Sequence, residues 1–128
     1  YDNSILYTDF FLSETIQYLR GLRGTSSALL YCADHGEDIL EQRERFLHAS
    51  PTTTAYQLYV ASLAWFSDAY RQNFPDKAAA AEANATVPAT THALFHTMAD
   101  MASIRGNYID TGVSLVNAAT TAPGRAVI

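Results

Sequence analysis

Apolar and polar positions alternate along this chain with periods that predict a mixture of helices and strands. Over residues 3–22, Ile5, Leu12, Ile16 and Leu19 recur at helical spacing, and Leu6, Phe10 and Phe11 widen the stripe. That pattern predicts one long amphipathic helix, apolar enough to pack on a sheet, capped by Asp2, Asn3 or Ser4 and stopped by Gly21 and Gly24. The run Ala28-Leu29-Leu30-Tyr31-Cys32-Ala33 is continuously apolar and bounded by turn formers, which predicts a short buried strand. Residues 58–66 form a second continuous apolar run, as expected of a strand covered on both faces. Ser67 and Asp68 open a turn or short helix reaching Phe74. Pro75 then suits the first turn of an alanine-rich helix extending to about residue 85 and expected on the surface. Thr90 or Thr91 is placed to cap a last helix with Leu94, Phe95, Met98 and Met101 on one side, ended by Arg105-Gly106-Asn107. The tail holds one apolar stretch, residues 112–116, and is expected to fray near its end.

A helix followed by a buried strand is half of an α/β unit. Between the strands, residues 34–54 are polar and irregular, with a short helical turn expected around residues 38–43. Loops of that length inside a domain are usually functional or disordered. No repeat or low-complexity tract interrupts the chain, so residues 1–128 read as a single unit.

Composition narrows the class. The hydrophobic fraction is 48% and the charged fraction 16%, against a usual charged level of roughly 25%. Such a chain buries more surface than a lone small domain, as a piece of a larger structure would. The net charge is −5 and the basic residues are scattered, which excludes the concentrated basic surface that nucleic acid requires. The single cysteine, Cys32, permits no internal disulfide; it reads as a buried apolar thiol. No apolar run is long enough for a membrane span, and the N-terminus lacks the pattern of a signal peptide. The chain opens on Tyr1 without an initiator Met, and the expectation is a processed, excised or engineered segment.

The candidate chemistry sits just past the first strand, in Asp34-His35-Gly36-Glu37. A carboxylate and an imidazole delivered at a strand's carboxyl end face the crevice where open α/β sheets bind ligands, and both are zinc-ligand types. The alternative is a turn that satisfies its own backbone. Glu37 is the candidate outer group to orient His35, because ligating imidazoles donate their second nitrogen to an acceptor. His48, at the far end of the polar loop, is a candidate to fold over the crevice and bind substrate oxygens. His92 and His96 share a helical face at a spacing of four, but no Glu follows His92 as zinc proteases require. They read instead as a capping residue and a half-buried histidine. The glycosylation triplet at Asn84 is too common by chance to carry weight.

Five segments, in order, resemble bacterial phosphoethanolamine transferases of the sulfatase-like group in the alkaline-phosphatase superfamily. They are Tyr1-Asp2-Asn3-Ser4-Ile5-Leu6-Tyr7-Thr8-Asp9; Ala33-Asp34-His35-Gly36-Glu37, where members commonly read Ser-Asp-His-Gly-Glu; Phe46-Leu47-His48-Ala49-Ser50-Pro51; Trp65-Phe66-Ser67-Asp68-Ala69-Tyr70; and Leu94-Phe95-His96-Thr97. The resemblance implies an α/β fold: the C-terminal fragment of an alkaline-phosphatase-like sandwich, few strands flanked by helices, with residues 1–128 an incomplete C-terminal portion of the catalytic domain. It implies that Asp34 and His35 bind catalytic zinc, or another divalent metal, and that His48 lies near the transferred phosphoryl group or near a second metal. The implied reaction moves phosphoethanolamine from a phospholipid to lipid A or core oligosaccharide through a phosphothreonine. That threonine and the remaining zinc ligand would lie upstream, so the chain alone is expected to be inactive. The parent would sit in the inner membrane with a periplasmic catalytic domain. Three positions depart from the pattern: Ala33 where Ser is frequent, Tyr59-Val60-Ala61 where His-Val-Pro is frequent, and Ala93 where Asp often follows the histidine. They leave the acceptor open. The competing expectations are a sulfatase or phosphodiesterase, and a non-catalytic binding or assembly module. An incomplete sheet also exposes edges and apolar faces, which favours self-association.

Overall fold

The computed structural model describes residues 1–39 and 53–120. His48 and most of the expected turn around residues 38–43 lie outside that set. The elements run α1 (Asp2–Gly21), β1 (Ala28–Cys32), α2 (Ala55–Leu58), β2 (Ser62–Phe66), α3 (Asp68–Asn73), α4 (Pro75–Ala83) and α5 (Ala93–Met101), followed by a 3₁₀ turn at Thr111–Val113. β1 and β2 form a two-stranded sheet. Ala33 N–H donates to Ala61 O, and Ser67 N–H to Ser27 O. Those pairings fix an antiparallel register.

The chain forms two compact units. One comprises residues 1–28 and 65–128 and holds most of the helices. The α1 stripe is there, with Leu12, Ile16 and Leu19 half-buried, but Ile5, Leu6, Phe10 and Phe11 are exposed. The cap falls one residue before the first expected one, and the helix begins at Asp2. Its N-cap is Tyr1, without a side-chain cap bond, and the Ser4 hydroxyl donates back to Tyr1 O at 2.6 Å. Gly21 ends it, and Gly24 turns the chain at φ +70°. α3 starts as expected, with the Ser67 hydroxyl accepting Tyr70 N–H. Phe66, Tyr70 and Phe74 stack in series at 4.9 Å between successive ring centroids. The buried Tyr70 hydroxyl donates to Met101 O at 2.8 Å and so fastens α5.

Two expectations about burial fail in this unit, for different reasons. α4 is not purely superficial. Ala78 and Ala80 are buried, because a side chain of one methyl lets two helices approach closely. In α5 the expected apolar face is reversed: Phe95 and Met98 are exposed, whereas His96, Thr97 and Asp100 are buried with Ala93, Ala99 and Met101. The tail satisfies those polar groups. His96 Nδ1 accepts Asp110 N–H and Thr97 Oγ1 accepts Leu115 N–H, each at 3.0 Å. The Asn84 amide donates to Leu115 O and Asn117 O. α5 also ends earlier than expected. Ser103, at φ 58°, closes it with Ser103 N–H on Asp100 O and Ile104 N–H on Ala99 O, a Schellman arrangement that spares the last carbonyls. The N-cap is His92 rather than a threonine, and it makes no side-chain cap bond.

Asp100 ties these parts together. Its Oδ1 lies 2.8 Å from Arg105 and 3.4 Å from Lys77, whose ammonium also donates to Asp100 O and Ser103 Oγ. Burial alone would raise the Asp100 carboxyl. Hydrogen bonds from Arg105 and Ser114 and the Lys77 charge outweigh it and hold the group below its ordinary 3.8. A depressed carboxyl contributes stability at pH above its unfolded value, and loses it as pH falls through the folded value. Asp100→Asn is therefore expected to cost about 2 kcal/mol at neutral pH. Its deficit against the unmodified protein should shrink as the pH is taken below 3.8. Chemical denaturation at a series of pH values checks this; a deficit constant from neutral to acid pH would refute the charge argument.

The second unit spans residues 29–64. Its expected second strand is shorter than the apolar run. Residues 55–58 instead make one helical turn, Tyr59 leaves it extended, and the strand itself begins at Ser62. β1 is half-buried along its length, and Ser62, Leu63 and Ala64 of β2 are exposed, so neither strand is covered on both faces within this chain.

Candidate metal centre

β1 ends at Cys32, and Asp34 and His35 just past it are exposed. The Asp34 carboxylate is aimed by the backbone: Oδ1 accepts His35 N–H at 3.0 Å. Its other oxygen, Oδ2, lies 3.7 Å from His35 Nε2. The far ring nitrogen, Nδ1, is 3.0 Å from Gly36 O. A carbonyl only accepts, so Nδ1 is the donor in this bond, and a neutral imidazole held this way has its lone pair on Nε2. Thus the two atoms suited to a cation face one another, and each is oriented by a hydrogen bond on its opposite side. Ligating imidazoles and carboxylates are oriented this way in metal sites.

The spacing fits one ion. A tetrahedral zinc about 2.0 Å from each ligand separates neighbouring ligand atoms by about 3.3 Å, close to the observed 3.7 Å. Two ligands leave positions open. Among the described residues no group of three His, Cys, Asp or Glu side chains could hold a metal ion. His92 and His96 lie in the other unit. Their rings meet edge-on at 4.9 Å, and the Nδ1 of His96 is committed to Asp110 N–H.

Glu37 was the expected orienting group. Its Oε1 is 3.9 Å from His35 Nδ1, and the Gly36 carbonyl oxygen lies nearer the same nitrogen, at 3.0 Å. Gly36 is in turn held by α2: its N–H donates to Gln57 O at 3.0 Å. A Cβ on Gly36 would overlap the Tyr56 carbonyl oxygen and lie 2.6 Å from that of Tyr59. Gly36 and Gln57 were not among the candidates from sequence. The signal was present as Thr54-Ala55-Tyr56-Gln57, a Thr-x-x-Gln capping box, in which Gln57 Oε1 accepts Thr54 N–H at 2.9 Å.

The sulfatase family model matches residues 1–104. The chain belongs to the sulfatase family. The resemblance read from the five segments is thereby borne out. Among sulfatase-family relatives, the phosphoethanolamine transferase EptA of Salmonella typhimurium is 30% identical over 112 residues, covering 84% of this chain and 20% of that protein. The Kdo(2)-lipid A phosphoethanolamine 7''-transferase of Escherichia coli K12 is 39% identical over 75 residues, covering 57% of this chain and 12% of that protein. This chain thus spans a fifth or less of the length of these relatives. In structure it is similar to the C-terminal periplasmic domain of the phosphoethanolamine transferase EptC from Campylobacter jejuni. The TM-score is 0.80 at 27% identity, over 95% of this chain and 38% of that one. The small sheet with flanking helices is part of that alkaline-phosphatase-like fold, as expected. No described helix is long and apolar enough to cross a membrane.

Proposed function

We propose that this chain is part of a zinc-dependent phosphoethanolamine transferase, with Asp34 and His35 holding the metal. The observation that carries the reading is the facing pair, Asp34 Oδ2 and His35 Nε2 at 3.7 Å, each oriented from behind, in a family where the relatives above bear transferase names. Zinc bound there would supply a Lewis acid that lowers the pKa of a threonine hydroxyl and neutralises charge on phosphoryl oxygens. That threonine belongs to sequence outside this chain. Its oxygen attacks the phosphorus of the phospholipid headgroup, the bond to the diacylglycerol oxygen breaks, and that oxygen takes up a proton. Lipid A or core oligosaccharide then accepts the phosphoethanolamine from the phosphothreonine. His48 binds substrate oxygens, and the Glu37 carboxylate adds negative charge beside the His35 ring. The parent is held in the inner membrane with its catalytic domain in the periplasm. This chain alone does not catalyse the reaction, and its exposed α1 face favours self-association when it is isolated.

The test uses full-length protein and a phospholipid labelled in its phosphoethanolamine headgroup. Label retained on a threonine, mapped by peptide mass spectrometry, is the expected result. Release of label to water with no adduct on threonine would favour the hydrolase reading that the breadth of the sulfatase family allows. No turnover of any phosphate or sulfate ester would leave a binding module.

A further inference from the structure

The orientation of His35 does not end at Gly36. A one-turn helix such as α2 has little stability of its own, because nucleation is the costly step of helix formation. Here the turn is closed on both sides. Gln57 N–H donates to Thr54 O at 3.2 Å, Tyr59 N–H donates to Ala55 O at 3.0 Å, and the Gln57 side-chain oxygen takes Thr54 N–H at 2.9 Å. Thr54 and Gln57 are both buried, at 7% and 8% exposure, although both are polar and lie beside exposed residues. The carbonyls at this turn are the ones that meet Gly36: Gln57 O accepts its N–H, and Tyr56 O and Tyr59 O occupy the space that a Cβ on it would need. The Gly36 peptide is therefore held from one side by α2, and its own carbonyl holds His35 Nδ1 from the other.

We propose that Gln57 is a positioning residue for the metal-binding imidazole. Its carboxamide oxygen closes α2, α2 fixes the Gly36 peptide, and the Gly36 carbonyl sets the tautomer and direction of His35. The inference rests on the zinc reading of Asp34 and His35. A group acting through a ligand's hydrogen bond should alter metal affinity, as outer-shell groups do, by about 10- to 100-fold.

Gln57→Met keeps the length of the side chain and removes the oxygen acceptor. Gln57→Glu keeps an acceptor at the same reach. Zinc affinity of the full-length protein, measured by competition with a chromophoric chelator well below the unfolding temperature, is expected to fall at least about tenfold in Gln57→Met. It is expected to stay near the unmodified value in Gln57→Glu. Equal affinities for Gln57→Met and the unmodified protein would overturn the proposal. So would a Gln57→Glu protein as weak as Gln57→Met, or a Gln57→Met protein that does not fold, since Gln57 would then be structural only. His35→Ala separates the two readings. If it loses zinc while Gln57→Met keeps it, the positioning role alone fails; if His35→Ala keeps wild-type affinity, the metal reading fails and takes the positioning role with it.

Discussion

On the function proposed above, replacing His35 by alanine in the full-length protein is expected to lower the rate of phosphoethanolamine transfer by about 10³-fold, equivalent to about 4 kcal/mol of lost transition-state stabilisation. On that proposal the stabilisation at stake is that of charge on the phosphoryl group, which a cation held by Asp34 and His35 would supply. Asp34→Ala should have an effect of similar size, because Oδ2 of Asp34 and Nε2 of His35 face the same point. Asp34→Asn distinguishes charge from shape. It keeps an oxygen acceptor for His35 N–H, which now donates to Asp34 Oδ1 at 3.0 Å, but it removes the negative charge that a divalent ion requires. Its activity should therefore be close to that of Asp34→Ala. Bound zinc, measured by metal analysis after dialysis, should fall in all three variants. The His35 side chain is 40% exposed, so added imidazole can reach the vacated position and should restore part of the activity of His35→Ala. Variants that keep rate and zinc content within about twofold of the unmodified protein would end the metal reading.

The site was half legible in the sequence, and the missing half has a physical reason. Asp34 and His35 stand out because a carboxylate and an imidazole follow an apolar strand, and side-chain chemistry is what a sequence displays. The groups that aim them are backbone groups: His35 N–H, Gly36 O and Gln57 O. Every residue has such groups, so nothing in the letters marks them. α2 was hidden for a related reason. Leu58, Tyr59, Val60 and Ala61 extend the apolar run into β2, and a continuous run carries no period to divide helical turn from strand. The capping box at Thr54 and Gln57 marks the boundary that hydropathy misses. In α5 the error runs the other way. Leu94, Phe95, Met98 and Met101 promised an apolar inner face, yet the buried side carries His96, Thr97 and Asp100 because the tail brings backbone N–H groups and Arg105 to them. Hydropathy measures what water loses and is blind to partners arriving from a distant segment. α1, by contrast, was read nearly to the residue. Its length and glycine stop are local properties, although Leu6, Phe10 and Phe11 remain exposed on a chain that spans 38% of the solved periplasmic domain it resembles.

Gly36→Ala is expected to be the most destabilising change in the Asp34–Glu37 turn. The added methyl would overlap Tyr56 O and approach Tyr59 O to 2.6 Å. Both are backbone atoms of a closed turn, so neither can swing aside as a side-chain end would. Relief requires the Gly36 peptide and α2 to part, which breaks the bond from Gly36 N–H to Gln57 O and releases the carbonyl that orients His35. Overpacking against fixed backbone together with a lost buried bond should cost about 4 kcal/mol. For a domain of ordinary size that lowers the unfolding midpoint by roughly 10 °C. Gly21→Ala supplies the contrast. A Cβ there meets nothing within 4 Å and sits at the last position of α1, where alanine is the better helix former. It should leave the midpoint unchanged or slightly raised, and zinc binding intact. The prediction thus separates the conformational freedom that any glycine offers from the space that only Gly36 leaves open. If Gly36→Ala unfolds with the same midpoint as Gly21→Ala and binds zinc equally well, the close approach of α2 to the turn is not a feature of the folded protein.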